Sequence, residues 1–209
     1  MAKISNDWLS EFHKLHREKV DKILTHGFIK ELYEGTLPKK KFDYYIKNDL
    51  HYSKEFKNTI DIVRGKFIKD SQEEKIFAKY IQETLDLVKF LESCENKNLN
   101  CEINPICINY EKHENDNAKI GVAEGIAAIL PCFWIYVLIA KNIMRNLKNE
   151  KNPYYSYIKA QYFNDETYQE IIDICNNLAK NEENQKKMEK ILEKSIDYEY
   201  QFFDMCYQI

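Results

Sequence analysis

The amino-acid sequence predicts an all-α fold, a multi-helical single domain spanning residues 1–209, and three observations carry that expectation. Only 5 glycines and 4 prolines punctuate 209 residues, so long stretches run without a turn signal. No segment alternates apolar and polar side chains with the period of two that a half-buried strand needs. Apolar residues recur instead at three-and-four spacing, the period of a helix that buries one face.

Taken in order, residues 6–34 read as helix, with Trp8, Phe12, Leu15, Val20, Ile23, Leu24, Phe28 and Leu32 in register and a break near His26-Gly27. Gly35 ends that segment and Pro38 opens the next, the usual asymmetry of helix termini. A second helix from about Lys39 carries Phe42, Tyr45, Ile46, Asp49, Tyr52 and Phe56, and further helical segments are expected at about 59–69 and 72–93. Glu92 to Cys107, rich in Asn and Lys, is a connection. A helix at about 107–114 is interrupted by Asn115-Asp116-Asn117, and helices at about 154–162, 165–180 and 183–207 close the chain.

Between them lies Val122 to Ala140, nineteen residues in which Glu124 is the only formal charge. Such a stretch is long enough to cross a bilayer, and equally long enough to be the central helix of a helical domain, apolar all round because other helices cover it. A carboxylate inside the span costs roughly 2.5 to 3.5 kcal/mol at a bilayer centre, less towards the end, and no second apolar span exists, so the buried helix is the reading adopted. The net charge of −3 leaves no basic excess for phosphates, which argues against a nucleic-acid partner. The N-terminus has no apolar run of signal-peptide length, so a cytoplasmic protein with six reduced cysteines is expected. No cysteine pair has the CxxC spacing of a zinc or redox motif, and neither a metal nor a cofactor is expected.

Three residues stand out chemically. Cys132 follows Pro131 in the apolar stretch, where the missing N–H predicts a kink and a freed carbonyl at Ala127, and it shares a face with Tyr136 four residues on. A free cysteine there is otherwise a small buried apolar residue. Asp49 sits on the aromatic face made by Tyr45, Tyr52 and Phe56, where an acid must be paired or neutral. Glu199, among Tyr198, Tyr200, Phe202 and Phe203, is expected to have a raised pKa suited to proton donation near neutral pH. For both acids the alternative is a structural carboxyl bonded to a core tyrosine.

At these residues the sequence resembles the TenA (thiaminase II) family, in its cysteine-containing branch. Four segments carry the likeness in order: His26-Gly27-Phe28-Ile29 with Tyr33 to Pro38, Phe42 to Tyr52, Ala127 to Tyr136, and Tyr198 to Phe202. The resemblance implies a haem-oxygenase-like helical bundle, a homotetramer, and hydrolysis of 4-amino-5-aminomethyl-2-methylpyrimidine to the hydroxymethyl pyrimidine, with thiamine as a related substrate. It places Cys132 on the nucleophile and Glu199 on the acid/base. Asp49 falls on the pyrimidine-binding acid, and Tyr52, Tyr110, Tyr136 and Tyr162 on pocket tyrosines. Asn48 and His51 depart from the family's pattern, where Gln and an aromatic residue are expected. Two other readings stay open: a non-catalytic pyrimidine-binding or regulatory protein on the same fold, and a haem or metal oxygenase using His13, His16 or His26.

Overall fold

The computed structural model describes residues 7–147, 150–162 and 168–209, the side chain of Tyr162 excepted. Its described residues form ten helices and no strand, as the spacing predicts. The first 34 residues break twice rather than once, into α1 (Trp8–Leu15), α2 (Arg17–Leu24) and α3 (Gly27–Glu34). The break at 26 is the expected one, with His26 Nδ1 accepting from the Phe28 N–H at 3.1 Å as an N-cap. The break at His16 has neither a side-chain cap nor a glycine or proline, so the sequence gives no sign of it. Gly35 ends α3 in the left-handed region at φ 77°, where a side chain would be strained, and Thr36 N–H returns to Glu31 O at 2.9 Å.

The long elements follow: α4 (Lys39–Arg64), α5 (Gln72–Cys94), α6 (Pro105–Ile120) and α7 (Val122–Asn146), then α8 (Tyr155–Tyr162), α9 (Gln169–Leu178) and α10 (Glu182–Tyr207). The segment expected at 59–69 is the end of α4, which runs unbroken to Arg64 because no breaker precedes Gly65. The interruption expected at 115–117 is absent. Asp116 pairs with Lys112, and the Asn117 amide donates to His113 O at 2.7 Å, so these polar side chains bond within the helix instead of unwinding it.

The apolar stretch is the core of the bundle. Helix α7 packs on α10 and α6, with α9, α8, α3, α4 and α2 also against it. It is long and apolar enough to cross a membrane, with a mean hydropathy of 2.1 over its best window, yet 67% of that window is buried by protein. Ile126, Ile129, Leu130, Ile135, Ile139 and Ile143 are fully buried, each contributing about 1.5–3 kcal/mol. Glu124 lies in the first turn, with Lys187 Nζ 3.9 Å away, and stays at the helix end rather than in the core. Helix α7 continues through Pro131 as a single element.

The α6–α7 hairpin is tight. A Cβ on Gly125 would lie 3.0 Å from Ala118 Cα on α6 and 2.8 Å from Val63 Cγ2 on α4. Glycine therefore sets the approach of these helices. Two turns further along α7 stands Cys132.

Candidate functional site

Each wall of the site is one buried helical stripe. On α4 the buried positions include Tyr45, Asp49, Tyr52 and Phe56; on α6 they are Cys107, Tyr110, Glu114 and Ala118; on α10 they include Ser195, Glu199, Phe202 and Cys206. Spacings of three and four carry each acid into the bundle together with its apolar neighbours.

The stripes converge on the Cys132 sulfur. Tyr52 Oη lies 2.7 Å and Tyr110 Oη 3.4 Å from Sγ, and Sγ lies within donating distance of Glu114 Oε1 (3.3 Å) and Glu199 Oε1 (3.4 Å). The tyrosines also serve the acids: Tyr52 donates to Glu114 Oε1 at 2.6 Å and Tyr110 to Glu199 Oε1 at 3.0 Å. Tyr110 is held between rings, 5.3 Å from Tyr52 and 5.1 Å from Tyr198. The expected association of Cys132, Glu199, Tyr52 and Tyr110 is therefore present as one hydrogen-bonded cluster.

Glu114 was not among the expected residues, and it is the most buried member at 0% exposure. The signal existed. Glu114 is four residues from Tyr110 and so on its face, the argument that singles out Asp49 and Glu199. Ending the helix at 114 concealed it.

Electrostatics follow from burial. Glu199 is pushed up to about 7, with hydrogen bonds from Tyr110 and Cys132 opposing the rise. Glu114 is raised well above the carboxylate range, first by burial and then by the Glu199 and Glu111 charges. Burial and the two carboxyls raise the Cys132 thiol, so at neutral pH the proton stays on sulfur and a nucleophile must be generated in place. Tyr52 and Tyr110 are likewise raised, and donate as neutral phenols.

Cys132 and Tyr136 line a cavity of about 670 Å³, within the usual range for small-molecule pockets. Its walls include the rings of Phe56, Tyr80, Phe133 and Tyr168, and its outer part carries Glu83, Asp86 and Lys141. Such a chamber suits a flat, apolar-faced ligand.

Asp49 is placed differently. It is 5% exposed, bonded by Tyr45, and raised to about 7 by burial, and Oδ2 has no hydrogen-bond partner. It interacts electrostatically with Glu199, and like Glu199, Glu114, Tyr52 and Tyr110 it lies behind the cavity wall rather than lining it. Tyr162 closes α8, and its side chain lies outside the described residues.

The departing residues have structural work. Asn48 is fully buried, donates to Tyr44 O and accepts from the Asn104 N–H at 2.9 Å, which fixes the start of α6. His51 Nε2 lies 3.3 Å from Glu111 Oε1 on the half-exposed side of α4. The histidines of α1 to α3 are also engaged: His13 edges onto Trp134, His16 stacks on Phe12, and His26 caps α3 and faces Asp204 Oδ1 at 3.5 Å. Among the described residues no three His, Cys, Asp or Glu side chains converge as metal ligands.

Comparison with known proteins agrees with this architecture. A family model described as the TENA/THI-4/PQQC family matches residues 13–209. An aminopyrimidine aminohydrolase of Bacillus subtilis is 27% identical over 197 residues, covering 88% of this chain and 82% of that protein. A TenA homologue from Pyrococcus furiosus superimposes with a TM-score of 0.87 at 24% identity, over 95% of this chain and 99% of that one. A domain of unknown function with a heme oxygenase-like fold from Shewanella denitrificans superimposes with a TM-score of 0.71 at 14% identity, covering 98% and 94%. These structures share the fold.

Proposed function

The chain belongs to the TENA/THI-4/PQQC family, and on that premise we propose that it is an aminopyrimidine aminohydrolase of the thiaminase II type. It hydrolyses 4-amino-5-aminomethyl-2-methylpyrimidine to the hydroxymethyl pyrimidine and ammonia, with thiamine as a related substrate. The observation that carries this reading is a thiol at the wall of an aromatic cavity, within 3.4 Å of a buried carboxyl whose pKa is about 7. The B. subtilis relative's activity points the same way.

In this reading the pyrimidine ring lies among the cavity's aromatic side chains, against Tyr136. Glu199 in its acid form gives a proton to a ring nitrogen, and Cys132 adds to an electron-poor ring carbon. The protonated aminomethyl group leaves as ammonia, driven by the ring electrons that addition has made available. Water adds to the exocyclic methylene and its proton returns to Glu199. The carbon–sulfur bond then breaks with its electron pair returning to sulfur, and the ring regains aromaticity. One proton is left over and converts ammonia to ammonium.

Asp49 is assigned to the N–C–NH2 edge of the ring, because its buried Oδ2 lacks a donor that an aminopyrimidine supplies. The cavity stops short of both Asp49 and Glu199, so reaching them requires neighbouring side chains to turn aside. Tyr162 as a pocket tyrosine and a homotetrameric assembly are kept on the resemblance alone, and a single-domain organisation and a cytoplasmic location on the sequence pattern. Ammonia release from the aminomethylpyrimidine, compared with thiamine, tests the reading. Turnover of the aminopyrimidine is expected; tight binding with no ammonia from either compound would mark a non-catalytic binding protein and refute it.

A further inference from the structure

The reaction as written needs a base for the Cys132 proton as well as an acid for the ring, and a carboxyl that still holds its proton is a far weaker base than an ionised one. Glu199 is the acid. A thiol has one hydrogen, yet two carboxyl oxygens lie within 3.4 Å of Sγ. Two carboxyls against one buried sulfur repel each other, so near neutral pH the pair holds a single proton, as coupled acids do.

Burial lifts the Glu114 carboxyl further than that of Glu199 and by itself would leave the shared proton on Glu114. The hydrogen-bond lengths favour the opposite assignment. The Tyr52–Glu114 contact, at 2.6 Å, has the length of a hydroxyl donating to a carboxylate, whereas Tyr110–Glu199, at 3.0 Å, is longer. Glu114 also carries a fully buried Oε2 with no hydrogen-bond partner, a costly arrangement for a residue with a purely structural part.

We propose that Glu114 is a second catalytic carboxyl, which accepts the Cys132 proton at Oε1 while Glu199 delivers its own proton to the ring. The S–H bond breaks, its proton goes to Glu114, and its electron pair forms the sulfur–carbon bond. The displaced ring C=N pair goes to nitrogen, which takes the Glu199 proton. When the thiolate is expelled, the electron pair returns to sulfur and Glu114 gives the proton back. This inference rests on the hydrolase reading and adds the missing half of its proton traffic.

The groups that set the pair's titration come from every helix packed on it. They are Tyr52 from α4, Tyr110 and Glu111 from α6, Cys132 from α7, and Glu199 from α10, with Asp49 coupled to Glu199. A pair sharing one proton gives a kcat/KM profile that falls on both sides of an optimum, at low pH for want of a base and at high pH for want of an acid.

The test is kcat, KM and the pH profile of Glu114→Gln and Glu114→Met, beside Glu199→Gln, with ammonia release as the readout and circular dichroism to verify folding. Glu114→Gln should lose on the order of 10²-fold in kcat with little change in KM, and should lose the acidic limb of the profile. Glu199→Gln should lose the alkaline limb. The Cys132 thiol, titrated by its ultraviolet absorbance difference against a Cys132→Ala background, should ionise at lower pH in Glu114→Gln, since a neutral amide no longer repels the thiolate. Easier ionisation with slower turnover is a combination that a packing role would not produce.

Near-normal kcat with both limbs intact in folded Glu114→Gln would overturn the proposal. If neither Glu114 variant folds, the wild-type profile decides: two limbs support a shared proton, and a single limb contradicts it. If the wild type releases no ammonia, the hydrolase reading fails. The thiol titration then remains as the separate test, and no change in Glu114→Gln would remove Glu114 as an ionised neighbour of sulfur.

Discussion

Cys132 and Cys107 are both thiols on buried helical stripes, and both face carboxyl groups. Cys107 Sγ donates to Glu111 Oε1 at 3.2 Å and approaches Asn48 O at 3.6 Å, and like Cys132 its thiol is raised by burial and by neighbouring acid. Three things differ. Cys132 opens on the 670 Å³ cavity, whereas Cys107 is sealed at 0% exposure. Cys132 has two carboxyls and two phenols around it, so protons can arrive and leave by different routes. The carboxyl oxygen at Cys107, Glu111 Oε1, is shared with His51 Nε2 at 3.3 Å. A thiol–carboxyl contact alone does not make a nucleophile; access and a second proton carrier do.

The comparison breaks most directly by removing the two sulfurs in turn. Cys132→Ala should lower aminopyrimidine turnover by about 10³-fold or more, since the covalent route is gone. Cys107→Ala should leave kcat within about twofold and cost roughly 1 kcal/mol in a denaturation midpoint experiment. Equal losses of activity would erase the distinction.

Next in size are the acids. Glu199→Gln keeps the size of the side chain but cannot donate a carboxyl proton, and should reduce kcat on the order of 10²-fold in steady-state assays. Glu111→Gln, beside Cys107, should leave kcat within about threefold.

A pH experiment sharpens the electrostatic side. Glu199 and Asp49 titrate near 7 when folded, above their ordinary 4.5 and 3.8, because burial disfavours the charged form. Both hold protons more tightly folded than unfolded. Their contribution to stability is therefore fully present below their unfolded pKa values and is lost as pH rises through about 7, on the order of 3 kcal/mol per group. Melting temperature from about pH 4 to about pH 8 should fall more steeply in wild type than in Asp49→Asn, with most of the difference developed by about pH 7. Parallel curves would mean that Asp49 keeps no proton.

The smallest expected effect is geometric. Gly125→Ala places a methyl against Ala118 and Val63 and should cost about 1–3 kcal/mol by pushing α7 off α6. Turnover should drop several-fold as Cys132 moves away from Glu114, while Cys107 stays unreactive to thiol reagents. Unchanged kinetics would show that the approach of the two helices does not set the site.

Much of this site was readable from helix faces alone. Asp49, Cys132 and Glu199 each break an apolar stripe, and a titratable group on such a stripe must be buried, whatever the fold. Tyr110 came only with the family likeness, and its hydroxyl reaches Sγ. Glu114 escaped because Asn115-Asp116-Asn117 looks like a helix terminator, while in the structure Lys112 and His113 engage those side chains within α6. The break at His16 escaped because it carries none of the residues that punctuate helices. The extent of the cavity is another matter. That it reaches Cys132 and Tyr136 but not Asp49, Tyr52, Tyr110 or Glu199 depends on how α5 and α8 wall it against α7, which periodicity within one helix cannot encode.

The central claim is that Cys132 is the sulfur that reacts. Stoichiometric labelling of the folded protein with iodoacetamide, mapped by peptide mass and followed by residual ammonia release, tests it in one experiment. Activity should fall in proportion to label on Cys132, the aminomethylpyrimidine should protect that residue, and Cys107 should remain unlabelled. Full activity retained with Cys132 completely alkylated would contradict the account.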